Sequence, residues 1–548
     1  MKFPAILFAL LSACGAASAQ HQHHTTQSKD GATIVAGMGT LHHKVTTRSA
    51  EAQRFFDQGL RYVYAFNHDE AIRSFRRAAE LDPNMAMAHW GIAYALGPNI
   101  NLDVDPEREK AAYDAVQEAL ALVSKASPGE RDYIEALALR YTGDAGASPE
   151  TLHRMAENFS RAMGELSKKY PADLDAATLY AESLMNLRPW RLWNKDGTPA
   201  EGTTEVVSTL ESVLKRDPNH VGAIHYYIHA VEASPDPGRA LAYAPRLGRL
   251  MPAAGHLVHM PAHIYQRTGD YGASARSNEA AAAADRAYIK ASGVQGTYPL
   301  MYYSHNLHFL AVSYSFEGRY REALRSAHQL EANVAPHLKA MPMLEGFNTT
   351  SALVLVRFRR WDEILKAPEP PAELGATRAV WTWARGMAFA STGKVEEADA
   401  ALKSFAAAEQ ALPAEAQFGL NKASDILKIA DRMLAARIAS ARGGRGRAAE
   451  LLREAVATED GLAYDEPPAW FLPARESLGA ALLADGRAAE AEAVFREDLK
   501  RNPHSGRSLF GLAESLKAQR KARAAAETRR QFAAAWKGAD TQLKLADL

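Results

Sequence analysis

The sequence has a single cysteine, Cys14, among 548 residues. One cysteine cannot form a disulfide within the chain, and it cannot build the Cys-based zinc sites of small metal-binding domains. We therefore expect the fold to be stabilised by the packing of apolar and small side chains. Any metal site has to use histidine or carboxylate ligands.

The sequence also lacks a net charge and, beyond its first residues, long apolar runs. It has 64 basic and 64 acidic residues, so no overall positive field would attract nucleic acid, and we expect no nucleic-acid partner. No later stretch of about 18 uninterrupted apolar residues suggests a transmembrane helix. Phosphate loops, dinucleotide fingerprints and nucleophile elbows are missing too, so the sequence does not support those enzyme classes.

The N-terminus has the layout of a secretory signal peptide. Lys2 precedes an apolar run from Phe3 to Leu11, and small residues continue to Ala19, so we expect export to the periplasm of a bacterium. Two cleavage sites compete. Cleavage after Ala19 would release the chain, whereas lipoprotein-type cleavage before Cys14 would anchor it to a membrane through a lipid on that residue.

Residues 20–48 follow this signal and contain five histidines. We expect the segment to be flexible, although a tract of this kind can also scavenge metal. The five are His21, His23, His24, His42 and His43.

From about residue 49 to the end, alanine-rich amphipathic segments alternate with Gly and Pro turns, which predicts an all-α chain. In the clearest unit Gly59 and Tyr62 are three residues apart, Ala71 and Phe75 are four apart, and Pro83 ends the unit. This pattern resembles the 34-residue tetratricopeptide repeat. The resemblance covers most of the chain and implies a right-handed superhelix of helical hairpins, a scaffold that serves many functions.

The repeat pattern divides the chain into parts that match the repeat to different degrees. In order, they are the signal at 1–19, the segment at 20–48, N-terminal repeat units at 49–96, divergent hairpins at 97–203, units with recurring histidines at 204–335, and C-terminal units with a capping helix at 336–548. In the divergent part we expect helices after Pro106, Pro128, Pro149 and Pro171, because proline favours the first helical position.

Histidines recur in three consecutive units of the predicted solenoid. The pair His225 and His229 is repeated 34 positions later as His259 and His263, which is one repeat length. Aligning the units on their turns extends this set to seven residues on one side of the solenoid, which we call the histidine band. Its members are His225, His229, His256, His259, His263, His305 and His308.

The histidine band predicts a transition-metal site. Residues three or four apart share one face of a helix, and the family resemblance implies that these positions line the concave groove. Neighbouring helices lie about 10 Å apart, so imidazoles from adjacent helices can share an ion. Imidazole suits copper, zinc or iron. Seven histidines exceed the needs of one ion, so either two ions bind or some histidines support the ligands.

Glu232 lies one turn beyond His229 and could add a carboxylate ligand or act as a general base. An ion with an open coordination position would allow metal-dependent oxidation or hydrolysis. Two other functions stay open: binding of a peptide, protein or small molecule in a polar groove, and metal carriage without chemistry.

Two further features are specific to this sequence. His89 could approach the same groove if the superhelix curls back on itself. The segment Tyr464–Trp470 contains two adjacent prolines, and we expect it to be a stiff connection into the next helix, with Trp470 packed in the core.

Overall fold

The computed structural model describes residues 32–144 and 146–548. The predicted signal peptide with Cys14, and the histidines at positions 21, 23 and 24, lie outside the described residues. Within the described ranges the chain is almost entirely helical, with one small antiparallel sheet of two strands. No helix in these ranges has the length and apolar character needed to cross a membrane.

The first half of the chain contains twelve of the described α-helices. They are α1 Ala50–Tyr64, α2 His68–Leu81, α3 Ala86–Leu96, α4 Pro106–Ala121, α5 Pro128–Ala138, α6 Pro149–Lys169, α7 Leu174–Met185, α8 Thr203–Arg216, α9 Val221–Val231, α10 Leu247–Leu250, α11 Gly255–His259 and α12 Pro261–Thr268. Short 3-10 turns connect some of them, at Val123–Lys125, Pro237–Ala242 and Ala244–Arg246.

The second half contains the other thirteen described helices and both strands. They are α13 Tyr271–Ser292, α14 Tyr303–Phe316, α15 Tyr320–Val334, α16 Thr350–Arg357, α17 Trp361–Lys366, α18 Gly375–Ser391, α19 Val395–Gln410, β1 Gln417–Phe418, β2 Asn421–Lys422, α20 Ala423–Ala441, α21 Arg445–Asp460, α22 Ala474–Ala484, α23 Ala488–Arg501, α24 Gly506–Ala518 and α25 Ala522–Ala535. A π-helical turn leads into α14 at Tyr298–Tyr302, and 3-10 turns lie at Ala335–His337, Pro342–Thr349 and Leu545–Asp547.

Consecutive helices pack as hairpins, and the hairpins stack. α1 packs on α2 and α3 on α4, and towards the C-terminus α20 packs on α21, α22 on α23 and α24 on α25. The first helices of neighbouring hairpins also touch, as α18 contacts α20 and α20 contacts α22. A stack in which each hairpin contacts the next is a helical-repeat solenoid. The described fold is therefore an all-α helical-repeat solenoid, as the sequence predicts.

The predicted helix starts of the divergent part are largely confirmed. α4, α5 and α6 begin at Pro106, Pro128 and Pro149, each after an Asp or Ser whose side chain caps the helix. The fourth helix, α7, does not begin with its proline. It begins at Leu174, a few residues after Pro171, and is capped by the side chain of Asp173. Proline at the first position costs no hydrogen bond because that backbone N–H has no partner within the helix.

Glycines allow the hairpins to approach closely around a buried phenylalanine. A Cβ built on Gly59 would lie 2.6 Å from the ring of Phe75, and one on Gly91 would lie 2.5 Å from it. The same arrangement occurs near the C-terminus, where Gly479 and Gly511 flank Phe495. A Cβ built on each of them would lie 2.4 and 2.2 Å from the Phe495 ring, respectively. Both sets of two glycines and one phenylalanine have the same spacing along the sequence. The repeat therefore uses glycine to make room for the phenylalanine ring between neighbouring helices.

Segments distant in sequence pack against the middle hairpins. The turn between α1 and α2 reaches α9, where a Cβ on Gly222 would lie 2.4 Å from the Tyr64 ring. The connection between α21 and α22 reaches α12, where Glu466 pairs with His263. The face formed by α9, α11, α12 and α14 is therefore covered by parts of both halves of the chain.

Residues 32–48, the described part of the N-terminal segment, lie along α1 and α7. The ring of His42 pairs with Asp57 at 2.7 Å, and the ring of His43 pairs with Asp175 at 2.8 Å. Both histidines are thus bound to carboxylates at the N-terminal end of the solenoid.

The contact between Gly479 and Phe495 predicts a loss of stability in Gly479→Ala. The added methyl overlaps the phenylalanine ring, and overpacking of this kind costs about 1–3 kcal/mol. We expect a lower melting temperature in a circular-dichroism melt. Gly446→Ala is the matched control, because Gly446 is also helical but has no atom within 4 Å of the added carbon. A Gly479→Ala protein that melts at or above the wild-type temperature would contradict this packing.

Candidate metal centre

Six of the seven histidines of the band come together from three successive hairpins. Two lie on α9, two on α11, one on α12 and one on α14: His225, His229, His256, His259, His263 and His305. Five of them are 0–3% exposed, and His305 is half-buried. The sequence predicted a band lining an open groove, whereas the structure buries these side chains beneath covering segments. They form two neighbouring groups of three.

The first group, which we call triad 1, consists of His225, His229 and His256. One ring nitrogen from each lies within 4.8 Å of the others. The Nε2 atoms of His225 and His256 are 3.1 Å apart. The Nε2 atom of His229 is buried and has no hydrogen-bond partner within the described part of the chain.

The second group, triad 2, consists of His259, His263 and His305. Here too one nitrogen from each ring lies within 4.8 Å of the others. The Nε2 atoms of His259 and His263 are only 2.6 Å apart, and the centroid of the His305 ring is 4.8 Å from that of His259.

The Nδ1 atoms of four of these rings face hydrogen-bond acceptors. In triad 1, His225 donates to the backbone oxygen of Tyr64 at 2.7 Å and His229 donates to Glu232 at 2.9 Å. An acceptor at Nδ1 requires the proton to be on that atom, so in the neutral ring Nε2 keeps its lone pair. This is the arrangement of metal-binding histidines, whose other nitrogen donates to a carboxylate or carbonyl.

The same argument applies with more force to triad 2. His259 Nδ1 lies 2.6 Å from the amide oxygen of Asn278, and that amide is oriented because its nitrogen donates to the backbone oxygen of Ser274. His263 Nδ1 faces Glu232 at 2.7 Å and Glu466 at 2.5 Å. Both rings therefore hold a proton at Nδ1. Because its pKa is raised to about 10, His263 also holds a proton at Nε2, which it donates to the Nε2 lone pair of His259 at 2.6 Å. A metal ion bound by both rings would replace that proton.

Burial keeps most of these rings neutral, which is the form that binds metal. It lowers the pKa values of His225, His256, His259 and His305 well below the usual value, and that of His229 to about 3. A site of neutral imidazoles is ready to bind a cation without first losing protons.

His263 is the exception, because two carboxylates surround its Nδ1. Burial alone would lower its pKa, but the charges of Glu466 and Glu232 outweigh burial and raise the pKa to about 10. Burial and the nearby Glu232 raise the pKa of Glu466 to about 7. The two oxygens of Glu232 also accept from His229 and His263, so this carboxylate links the two triads. His229, Glu232 and His263 form a third group with the spacing of a metal site, on the Nδ1 side of the rings, in which Glu232 is the carboxylate ligand considered from the sequence.

Sequence reasoning missed Glu466. The sequence predicts a stiff connection at Tyr464–Trp470 with Trp470 in the core, and Trp470 is buried. In the structure the same segment also carries a carboxylate to His263. The signal available in the sequence was a glutamate beside two prolines. That pattern does not indicate a contact with the His263 ring, which lies in another hairpin.

Aromatic rings cover both triads. Phe66 packs its ring against triad 1, with its centroid 4.5 Å from that of His225 and 5.5 Å from that of His256. Phe309 packs against triad 2, at 5.0 Å from His263. Phe66 has a positive φ of 53°, an uncommon conformation for a phenylalanine. The backbone at this turn is thus held in an unfavourable state that brings the ring over the histidines.

Two other predicted histidines lie outside the triads. His308 packs against the rings of Phe347 and Phe471, with centroids at 5.7 and 6.1 Å, and burial lowers its pKa to about 4. His89 pairs with Glu118 at 2.7 Å and is not part of either triad.

A further group with the spacing of a metal site contains His43, Asp173 and Asp175. The hydroxyl of Tyr64 donates to Asp175 at 2.6 Å, and the hydroxyl of Tyr133 donates to Asp173 at 2.8 Å. The carboxylates are thus occupied by hydrogen bonds, and the group fixes the N-terminal segment to the solenoid.

An open groove lies elsewhere on the solenoid, along α18 and α19. Its volume is about 1280 Å³, and Trp381, Arg378 and Glu397 are among its lining residues. No histidine of the band lines it. The groove and the histidine triads are therefore separate features.

No protein-family model and no curated protein sequence matches the chain. Solved structures do match it at low identity. The Cut9–Hcn1 hetero-tetramer of APC/C is 13% identical, with 85% of this chain and 76% of that chain covered and a TM-score of 0.31. Human IFIT1 with m7Gppp-AAAA is 11% identical (90% and 91% covered, TM-score 0.33), and yeast Tom70 is 12% identical (88% and 90%, TM-score 0.28). Likenesses this distant carry no argument about ligands.

The carboxylates around His263 predict the effect of Glu466→Gln on the metal-free protein. Replacing a charged acceptor by a neutral one removes stabilisation of the imidazolium, so we expect the pKa of His263 to fall from about 10. Titration of the histidine ring resonances by NMR measures this shift. Glu459→Gln is the control, since Glu459 is buried but accepts from the backbone N–H of Ala474 instead. An unchanged His263 pKa in Glu466→Gln would contradict the contact.

Proposed function

We propose that this protein binds two transition-metal ions, one in each histidine triad. The observation that carries the proposal is the convergence of three histidines in each triad, where one ring nitrogen from each lies within 4.8 Å of the other two. Two such nitrogens bound to one ion would each lie about 2.0–2.1 Å from it. Triad 1 also supports the proposal, because the Nε2 atom of His229 is buried and has no hydrogen-bond partner among the described residues.

The donor set limits the choice of metal. Three neutral imidazoles per site suit copper, zinc or iron, and among these copper binds nitrogen ligands most tightly. Hard cations such as calcium and magnesium need oxygen ligands, which neither triad supplies. Copper is therefore the first metal to test, with zinc as the second.

Glu232 takes the role of a positioning residue in this proposal. Its two carboxylate oxygens accept from His229 and His263 at 2.9 and 2.7 Å. A carboxylate engaged on both oxygens orients the rings and strengthens them as ligands. The general-base role inferred from the sequence would require Glu232 to leave one of these histidines.

Metal stoichiometry tests the proposal. Metal-free protein is loaded with copper or zinc, and the bound metal is counted by plasma mass spectrometry. We expect about two equivalents per chain, and about one equivalent in His229→Gln and in His305→Gln, which each lose one ligand of one triad. His308→Gln is the matched control and should keep both ions, because His308 packs against phenylalanines.

Two results would contradict this site. The first is a wild-type protein that binds no metal above background. The second is a His229→Gln, His305→Gln double variant that binds as much metal as the wild type. That outcome would place the ligands elsewhere, first among the histidines of residues 20–48.

The location that fits the N-terminal sequence is the periplasm. The basic Lys2, the apolar run and the small residues that follow support export, with the mature chain either released or held by a lipid on Cys14. Mass spectrometry of the native protein should find a terminus after Ala19 or a lipidated Cys14. A mature protein that retains Met1 would contradict export through this signal.

A further inference from the structure

We propose that the two triads form one dinuclear copper centre that binds a dioxygen molecule between its ions. This inference rests on the proposed function, because it requires an ion in each triad. It adds the pairing of the ions, their oxidation states and the chemical class of the ligand.

The triads are close enough to act together. Across the boundary between them, the ring centroids of His229 and His263 are 5.7 Å apart, and those of His256 and His259 are 5.9 Å apart. Paired metal ions in proteins lie about 3.5–4 Å apart. Rings in contact across the boundary are consistent with such a spacing, and a diatomic ligand can then touch both ions.

Glu232 couples the two halves of the centre. It accepts from His229 of triad 1 with one oxygen and from His263 of triad 2 with the other. A change of charge at either ion therefore alters the electrostatic environment of the same carboxylate. Two independent sites would not need a shared acceptor at the same buried position.

The negative charges of the buried carboxylates beside the triads favour two copper(I) ions over two zinc(II) ions. The acidic groups that hydrogen-bond the triads are Glu232 and Glu466, and imidazoles bound to metal are neutral. Two copper(I) ions bring two positive charges, which these two carboxylates balance. Two zinc(II) ions would leave two positive charges in excess, and uncompensated buried charge is costly.

Dioxygen restores the balance when the ions are oxidised. Each copper(I) gives one electron, so two copper(I) ions and one O2 become two copper(II) ions and one peroxide. The O–O bond order falls from two to one, two copper–oxygen contacts form, and no proton is taken up. The four positive charges of copper(II) are then matched by the peroxide and the two carboxylates. The charges of the two ions, the bound oxygen and these two carboxylates therefore sum to zero before and after the step.

The surroundings suit a small apolar ligand. Phe66 stacks over His256 with a ring angle of 22°, and Phe309 stacks over His263 with a ring angle of 30°. Tyr302 places its ring edge-on to His256 at 4.9 Å. These rings exclude water, which would otherwise hydrolyse or displace bound peroxide. A hydrated anion or a sugar would need polar partners that these rings do not offer.

His305 is the triad member nearest to solvent, since it is half-buried whereas the other five are 0–3% exposed.

Oxygen uptake by the copper(I) protein tests the inference. The full chain is loaded with copper(I) under anaerobic conditions, its copper content is measured, and air-saturated buffer is added in an oxygen-electrode cell. We expect uptake of about one O2 per two copper ions, one for each dinuclear centre. A new charge-transfer absorption band should appear, and the product should give no electron paramagnetic resonance signal because the two copper(II) spins couple through the bridge.

Controls separate the two proposals. The zinc-loaded protein should take up no oxygen, because zinc has no electron to give. His229→Gln and His305→Gln, each with one copper, should lose both the oxygen uptake and the absorption band, while His308→Gln should keep them.

The outcomes differ for the two proposals. A protein that fails to hold about two copper ions overturns the proposed function. A protein that holds both ions but takes up no oxygen, or that oxidises to two magnetically independent copper(II) ions, overturns the dinuclear inference alone. Equal uptake by the single-copper variants would overturn it as well.

Discussion

The convergence of six imidazole rings, five of them buried, is the constraint on which the rest of this structure depends. Buried polar atoms normally find partners, yet the Nε2 of His229 has none among residues 32–144 and 146–548, and the Nε2 atoms of His259 and His263 lie 2.6 Å apart. Their Nδ1 atoms are all engaged by oxygens, which fixes the tautomers. The unpartnered nitrogen of His229 and the convergence of the other rings are the basis on which we propose a metal site.

The repeat architecture of the solenoid explains how these histidines come together. A repeat places equivalent residues of successive hairpins on one face, so α9, α11 with α12, and α14 each deliver histidines to the same region. Distant segments then complete the surroundings. Tyr64 and Phe66 arrive from the first hairpin, and Glu466 arrives from the connection before α22. The site therefore depends on how the whole chain packs, and not on one hairpin.

Much of this could be predicted from the sequence, because periodicity and spacing are local properties. The all-α solenoid followed from the Gly, Ala and Phe positions, and the recurrence of the His225 pair at His259 followed from the repeat length. The division into two triads, the exclusion of His308 and the approach of Glu466 could not be predicted. The first two depend on how the helices pack against one another, since His308 packs against Phe347 and Phe471 and not against the triads. The third depends on a tertiary contact that leaves no spacing in the sequence.

The most direct test of the central claim is anomalous X-ray diffraction from crystals of the copper-loaded protein, recorded at the copper absorption edge. The account predicts two peaks, one bonded to the Nε2 atoms of His225, His229 and His256, and one bonded to His259, His263 and His305. A single peak on the Nδ1 side, between His229, Glu232 and His263, would contradict it. So would peaks confined to the N-terminal histidines.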